Sequence, residues 1–138
     1  IKDTAAKMLV PGTIWAEYHI EVGKLMTQEL LGLGLISKED IKNEDPKWPA
    51  YKKYFMHGTS HHMGLDTHDY GVLTEPMQAG MVFTVEPGIY ITEENLGIRI
   101  EDDYVIQKTG EPINLMKNIP IEVEEIEDLM ASAKKRDH

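Results

Sequence analysis

Residues 81–106 read MVFTVEPGIYITEENLGIRIEDDYVI. Met81 to Val85 is a short β-rich run stopped by Glu86-Pro87-Gly88, and Gly88 to Thr92 predicts a second strand. Glu93-Glu94-Asn95 makes a turn, after which Gly97 to Ile106 predicts a third. Two carboxylates stand out. Glu86 ends an apolar strand, where an ionised group is costly unless a cation or several donors meet it. Glu101 follows Arg99 at period 2, so the two share a face with Ile98 and Ile100 opposite. Pairing of the strand after Met81 with the one around Glu101 would bring Glu86 and Glu101 together. Read alone, Arg99 and Glu101 also fit a same-face ion pair near solvent.

Upstream, residues 57–68 read HGTSHHMGLDTH and hold His57, His61, His62 and His68, four of the chain's six histidines. Each imidazole could be a neutral metal ligand, a general acid or a buried hydrogen-bonding group. Gly58 and Gly64 let the backbone turn sharply enough to gather them in one cleft. His62 points away from His61 in an extended segment and is left out of the site. With no cysteine in the chain, any metal is held by nitrogen and oxygen. One imidazole plus two carboxylates is an incomplete set for a two-ion centre, which needs bridging carboxylates and suits hydrolysis.

The flanks are helical. Ala5, Met8 and Leu9 follow helical spacing over residues 1–10 until Pro11-Gly12 stops them. Thr13 is expected to cap a second helix whose stripe is Trp15, Tyr18, Val22 and Leu25, running to about Leu31 and ended by Gly32 and Gly34. Ser37 caps a short helix before a loop with Pro46 and Pro49. Tyr51, Tyr54 and Phe55 are expected to pack under the histidine stretch. A last strand is expected near Ile113 to Met116. Pro120 opens a closing helix with Ile126, Leu129, Met130 and Ala133 as its apolar stripe, acids in its first turns, and Lys134, Lys135 and Arg136 in its last.

These helices and strands, with no repeat or linker between them, predict one α+β domain of helices packed on an antiparallel sheet. Its 138 residues are 41% hydrophobic, enough for a modest core. A net charge of −10 argues against nucleic acid or an anionic membrane as partner. No run approaches the roughly 18 apolar residues of a membrane span. A cytoplasmic location is expected. Ile1 lies inside a helical pattern without a cap before it, so the chain is expected to begin in mid-domain.

HGTSHHMGLDTHD, then LTEPMQAGMVFTVEPGIY, then GIRIEDD closely resembles the carboxy-terminal part of the creatinase/methionine-aminopeptidase "pita-bread" metallopeptidases. Within them it is similar to the Xaa-Pro aminopeptidases (aminopeptidase P), HGTSH setting it apart from prolidase. The resemblance implies the carboxy-terminal half of a pita-bread fold, with residues 1–138 a single partial domain. It implies His61, Glu86 and Glu101 as metal ligands, Glu101 bridging two divalent ions, Mn(II) by expectation. His57 and His68 would line the substrate pocket and stabilise the tetrahedral intermediate, and Tyr90 and Arg99 would lie near the proline side of the scissile bond. The implied substrates are peptides with proline second. Two aspartate ligands that the family draws from the other half of the domain have no matching motif here. The chain alone is therefore expected to be inactive, and its uncovered sheet face to favour a homo-oligomer. Prolidase activity and a non-catalytic binding module are the alternatives.

Overall fold

Where the alternation predicts one strand over Gly97–Ile106, the chain makes two, β3 (Leu96–Arg99) and β4 (Asp102–Val105), in different sheets. In the computed structural model, which describes residues 1–134, these follow β1 (Val82–Val85) and β2 (Gly88–Ile91). β1 pairs antiparallel with β4, Val85 facing Asp102, and β2 pairs antiparallel with β3, Gly88 facing Arg99. Both ladders keep one register, so Glu86 falls opposite Glu101 and Pro87 opposite Ile100 in the gap between them. The gap has a physical cause, because Pro87 has no amide hydrogen to give to a ladder. A single long hairpin is thereby broken at the two carboxylates. Its far turn is a 3₁₀ turn over Thr92–Glu94, closed by Asn95 in the left-handed region at φ 50°. The short β5 (Ile113–Asn114) pairs on the outer edge of β4, two residues shorter than the spacing predicts.

The helices are α1 (Lys2–Lys7), α2 (Trp15–Gly32), α3 (Lys38–Lys42) and α4 (Val123–Lys134). Thr13 does not cap α2. Ile14 holds that position, and the Thr13 hydroxyl donates to the Met8 carbonyl at 2.9 Å, closing the Pro11-Gly12 turn instead. Tyr18, Val22, Met26 and Leu30 are the buried stripe, so i+4 spacing displaces the predicted Leu25 in favour of Met26. Gly34, at φ 73°, lies just past the helix end. Ser37 caps α3 as expected, its side chain accepting from the Asp40 amide at 3.1 Å.

One core joins α1 and α2 to β1 and β4 through Leu9, Tyr18, Phe55, Phe83, Val85 and Ile106. Tyr51 and Tyr54 are buried with them, as the aromatic run predicts. Gly23 lets Tyr51 approach α2, since a Cβ there would lie 2.7 Å from the Tyr51 hydroxyl and 2.8 Å from its ring. Gly23→Ala is therefore expected to destabilise the chain by about 1 kcal/mol, overpacking outweighing alanine's helix propensity. Urea denaturation measures it, and a gain in stability would contradict the packing described.

The closing helix starts at Val123 rather than Pro120, and its stripe of Ile126, Leu129 and Met130 is exposed. Nothing in the amphipathic pattern could tell an unpartnered stripe from a packed one. Lys135 and Arg136 lie outside the described residues. Among the described residues, no helix is long and apolar enough to cross a membrane.

Candidate metal centre

Residues 59–63 run antiparallel beside β1 as an extended segment that makes one isolated bridge, His62 to Phe83. The Met63 amide donates to the Val82 carbonyl (3.2 Å), that of Thr84 to His61 (3.1 Å) and that of Glu86 to Thr59 (2.8 Å). Alternation then sorts the side chains. Ser60 turns inward to hydrogen-bond the Tyr18 hydroxyl at 2.8 Å, and His62 packs edge-on to Trp15 and against Phe83, ring centroids 5.3 and 4.1 Å away. Burial holds the His62 imidazole below its ordinary pKa, with the nearby Asp69 charge opposing that shift. His61 takes the other face, where its Nε2 lies 3.2 Å from Glu86 Oε1.

His61, Glu86 and Glu101 each offer a ligand atom, and these atoms all lie within 4.8 Å of one another. The strand after Met81 supplies Glu86, the break in the hairpin puts Glu101 opposite it, and the extended segment 59–63 brings His61. Their geometry suits a cation. His61 Nδ1 lies 2.9 Å from the His62 carbonyl, which only accepts, so Nδ1 carries a hydrogen and Nε2 is the nitrogen turned towards the Glu86 carboxylate. A neutral ring there offers its lone pair, together with the carboxylate, to a positive ion, and a protonated ring pairs with Glu86 directly. Glu101 is an exposed residue, yet partial desolvation of its carboxyl raises its pKa, and the Glu86 charge raises it further while Arg99 opposes. Asp103 is raised too, by burial, against a lowering influence of His61 and with Asp102 and Glu86 adding to the rise. Arg99 reaches Glu86 only at 3.9 Å from its half-exposed side chain. A divalent ion would relieve this concentration of negative charge, and the donor set fits one.

The remaining expected residues surround this group unevenly. His57 Nδ1 donates to the Gly58 carbonyl at 2.8 Å, and its Nε2 lies in hydrogen-bond contact with the Tyr90 hydroxyl at 3.1 Å, accepting from it when the ring is neutral. The bare backbone of Gly88 permits that pairing, as a Cβ there would lie 2.9 Å from the Tyr90 oxygen and 3.0 Å from His57 Nε2. His68, on an exposed loop, meets the His61 ring edge-on with centroids 4.3 Å apart. Arg99 stands beside Gly88 across the β2–β3 ladder.

Two residues at the site are not signalled by the motifs in the sequence. Thr84 hydrogen-bonds both His61 and Glu86. Asp103 joins the carboxylate group, and period 2 from Glu101 could have signalled it. Asp102, buried at 3% exposure, belongs elsewhere, to a bond with Lys2 and a 3.0 Å bond from Asn114.

Comparison with known proteins adds a lineage to this geometry. The profile of metallopeptidase family M24 matches residues 1–108. Xaa-Pro aminopeptidase of Escherichia coli is 40% identical over 146 residues, covering 97% of this chain and 32% of that protein. The structure of Escherichia coli aminopeptidase P with the inhibitor Pro-Leu superposes with a TM-score of 0.78 at 38% identity, over 96% of this chain and 32% of that one. Aminopeptidase PepP of Pseudomonas aeruginosa superposes at 0.81 with 35% identity, over 97% and 33%. The chain thus spans about a third of the length of the relatives it matches.

Proposed function

The chain belongs to metallopeptidase family M24, and from that premise we propose that it is the carboxy-terminal portion of a catalytic domain that removes an N-terminal residue preceding proline. The observation that carries this reading is the His61 Nε2 facing Glu86 Oε1 at 3.2 Å, with Glu101 in the same cluster. In this reading His61, Glu86 and Glu101 form one wall of a centre for two divalent ions, with manganese as the proposed metal. When bound, such ions lower the pKa of water and polarise the scissile carbonyl.

The chain's own residues orient the peptide. Glu101, opposite Glu86, would supply the carboxylate shared between the two ions. His57 and His68 line the pocket and donate hydrogen bonds to the developing oxyanion. For His57 to donate from Nε2, that nitrogen takes up a proton and the Tyr90 hydroxyl turns to accept. Tyr90 and Arg99 bound the side that receives proline. Aminopeptidase P of Escherichia coli binds Pro-Leu as an inhibitor, which favours peptides with proline second as substrates.

The other wall, with its aspartate ligands, is proposed to come from outside these residues. An open apolar groove of about 580 Å³, lined by Leu33, Leu35, Ile89, Ile91, Leu96 and Ile98, is available for another polypeptide surface. Covering such a face by a second copy is the basis for proposing a homo-oligomer. The proposed compartment is the cytoplasm.

The 138-residue chain is expected to bind one divalent ion rather than two, to show no Xaa-Pro turnover and to scatter light as more than one copy per particle. Metal analysis, peptide hydrolysis and light scattering test the three points. Two ions per chain with substantial turnover would refute the divided site, and a monodisperse monomer would refute the assembly. In a longer polypeptide carrying both walls, cleavage of Xaa-Pro-Yaa peptides in preference to Ala-Pro separates this activity from prolidase.

A further inference from the structure

Thr84 is 1% exposed on β1, and both of its backbone neighbours, Phe83 and Val85, are buried in the core. Its hydroxyl points the other way and makes two hydrogen bonds, accepting from the His61 amide at 3.1 Å and donating to Glu86 Oε1 at 3.2 Å. The direction of each is forced. An amide only donates, a carboxylate only accepts, and a hydroxyl has one hydrogen to give.

The first of these bonds departs from a regular ladder. His62 faces Phe83, so His61 and Thr84 are directly opposed, and the Thr84 amide donates to the His61 carbonyl at 3.1 Å. An antiparallel pair of this kind returns the second bond to the facing carbonyl. Here the His61 amide goes to the Thr84 side chain instead. The backbone of one ligand is thereby tied to the carboxylate of another through a single oxygen, held on a β-branched side chain with little rotamer freedom.

We propose that Thr84 is a positioning residue for the metal centre, setting the separation of His61 and Glu86 so that Nε2 and Oε1 receive an ion. The inference rests on the metal-centre reading above. Without the hydroxyl, the Thr84 carbonyl remains as an acceptor for the His61 amide. The strand pairing then survives while His61 shifts and Glu86 loses a donor. This predicts an effect on metal binding larger than on folding, as is usual for groups that orient ligands.

The test is Co(II) titration of the 138-residue chain and its Thr84→Val, Thr84→Ala and Thr84→Ser forms, followed by visible absorption, with circular dichroism as a check of folding. Thr84→Val and Thr84→Ala are expected to weaken Co(II) binding by about 10–100-fold and to alter the absorption bands, while Thr84→Ser restores both. Without metal, amide exchange at His61 is expected to change in the valine form. Unaltered affinity and spectrum in a folded Thr84→Val chain would overturn the proposal. So would loss of fold in both the valine and alanine forms, which makes the hydroxyl structural. A folded wild-type chain that takes up no Co(II) removes the metal-centre reading and this inference with it.

Discussion

Glu101→Gln is expected to lower divalent-ion affinity by on the order of 100-fold or more while leaving the metal-free chain at least as stable as the wild type. The two effects have opposite signs for one reason. Glu101 lies across the hairpin gap from Glu86 and near Asp103, and like charges facing each other across strands are destabilising. With an ion in place, the same charges become ligands. Glutamine keeps the shape and removes the charge, so it relieves the repulsion and forfeits the attraction. Isothermal titration with Co(II) and thermal unfolding in a chelator measure the two halves. Affinity within about twofold of wild type would remove Glu101 from the ligand set. A marked fall in metal-free stability would show that its role is structural. In a longer polypeptide with both walls, the same substitution is expected to abolish Xaa-Pro cleavage.

Asp102→Ala is expected to cost about 3 kcal/mol in stability, a large fraction of what a domain of this size possesses. Asp102 is 3% exposed, ties α1 to β4 through Lys2, and also accepts from Asn114 at 3.0 Å and from the Tyr104 hydroxyl at 3.4 Å. Truncation leaves the Lys2 ammonium without its buried partner and strands the other donors. Burial pulls the Lys2 pKa down, yet the Asp102 hydrogen bond, with the charges of Tyr104, Asp102 and Asp3, more than offsets this and leaves it raised. A raised lysine contributes stability that is present below its unfolded pKa of about 10.4 and lost as pH climbs through the higher folded value. The wild type therefore loses more stability than Asp102→Ala above that pH. Urea denaturation at neutral and alkaline pH checks both points. A cost under about 1 kcal/mol at neutral pH would mean that Lys2 escapes to solvent.

These two neighbouring acids show what local pattern conveys. Glu101 and Asp102 are adjacent in one acidic run, and no local property of the run sends one to the cluster with His61 and Glu86 and the other to a buried ion pair. The difference comes from the hairpin break, which leaves Glu101 outside the ladder and puts Asp102 inside it, facing Val85. Pro87 marks that break in the sequence, but its effect on the opposite strand depends on a register that only pairing supplies. Thr13 is a similar case. It has the chemistry of a helix cap, and the Pro11-Gly12 turn diverted its hydroxyl to Met8.

The sequence by itself determined the α+β composition, the position of the helices and turns, and the residue types able to bind a cation. Those properties follow from periodicity, glycine and proline placement and side-chain chemistry, all of them local. Only the tertiary structure decided that residues 59–63 lie beside β1, that His61 thereby meets Glu86, and that Thr84 links the two. It also left the stripe of α4 and the groove beside β2 and β3 exposed. Each of these depends on which segments pack together, and that is settled by burial and backbone pairing between residues far apart in the chain.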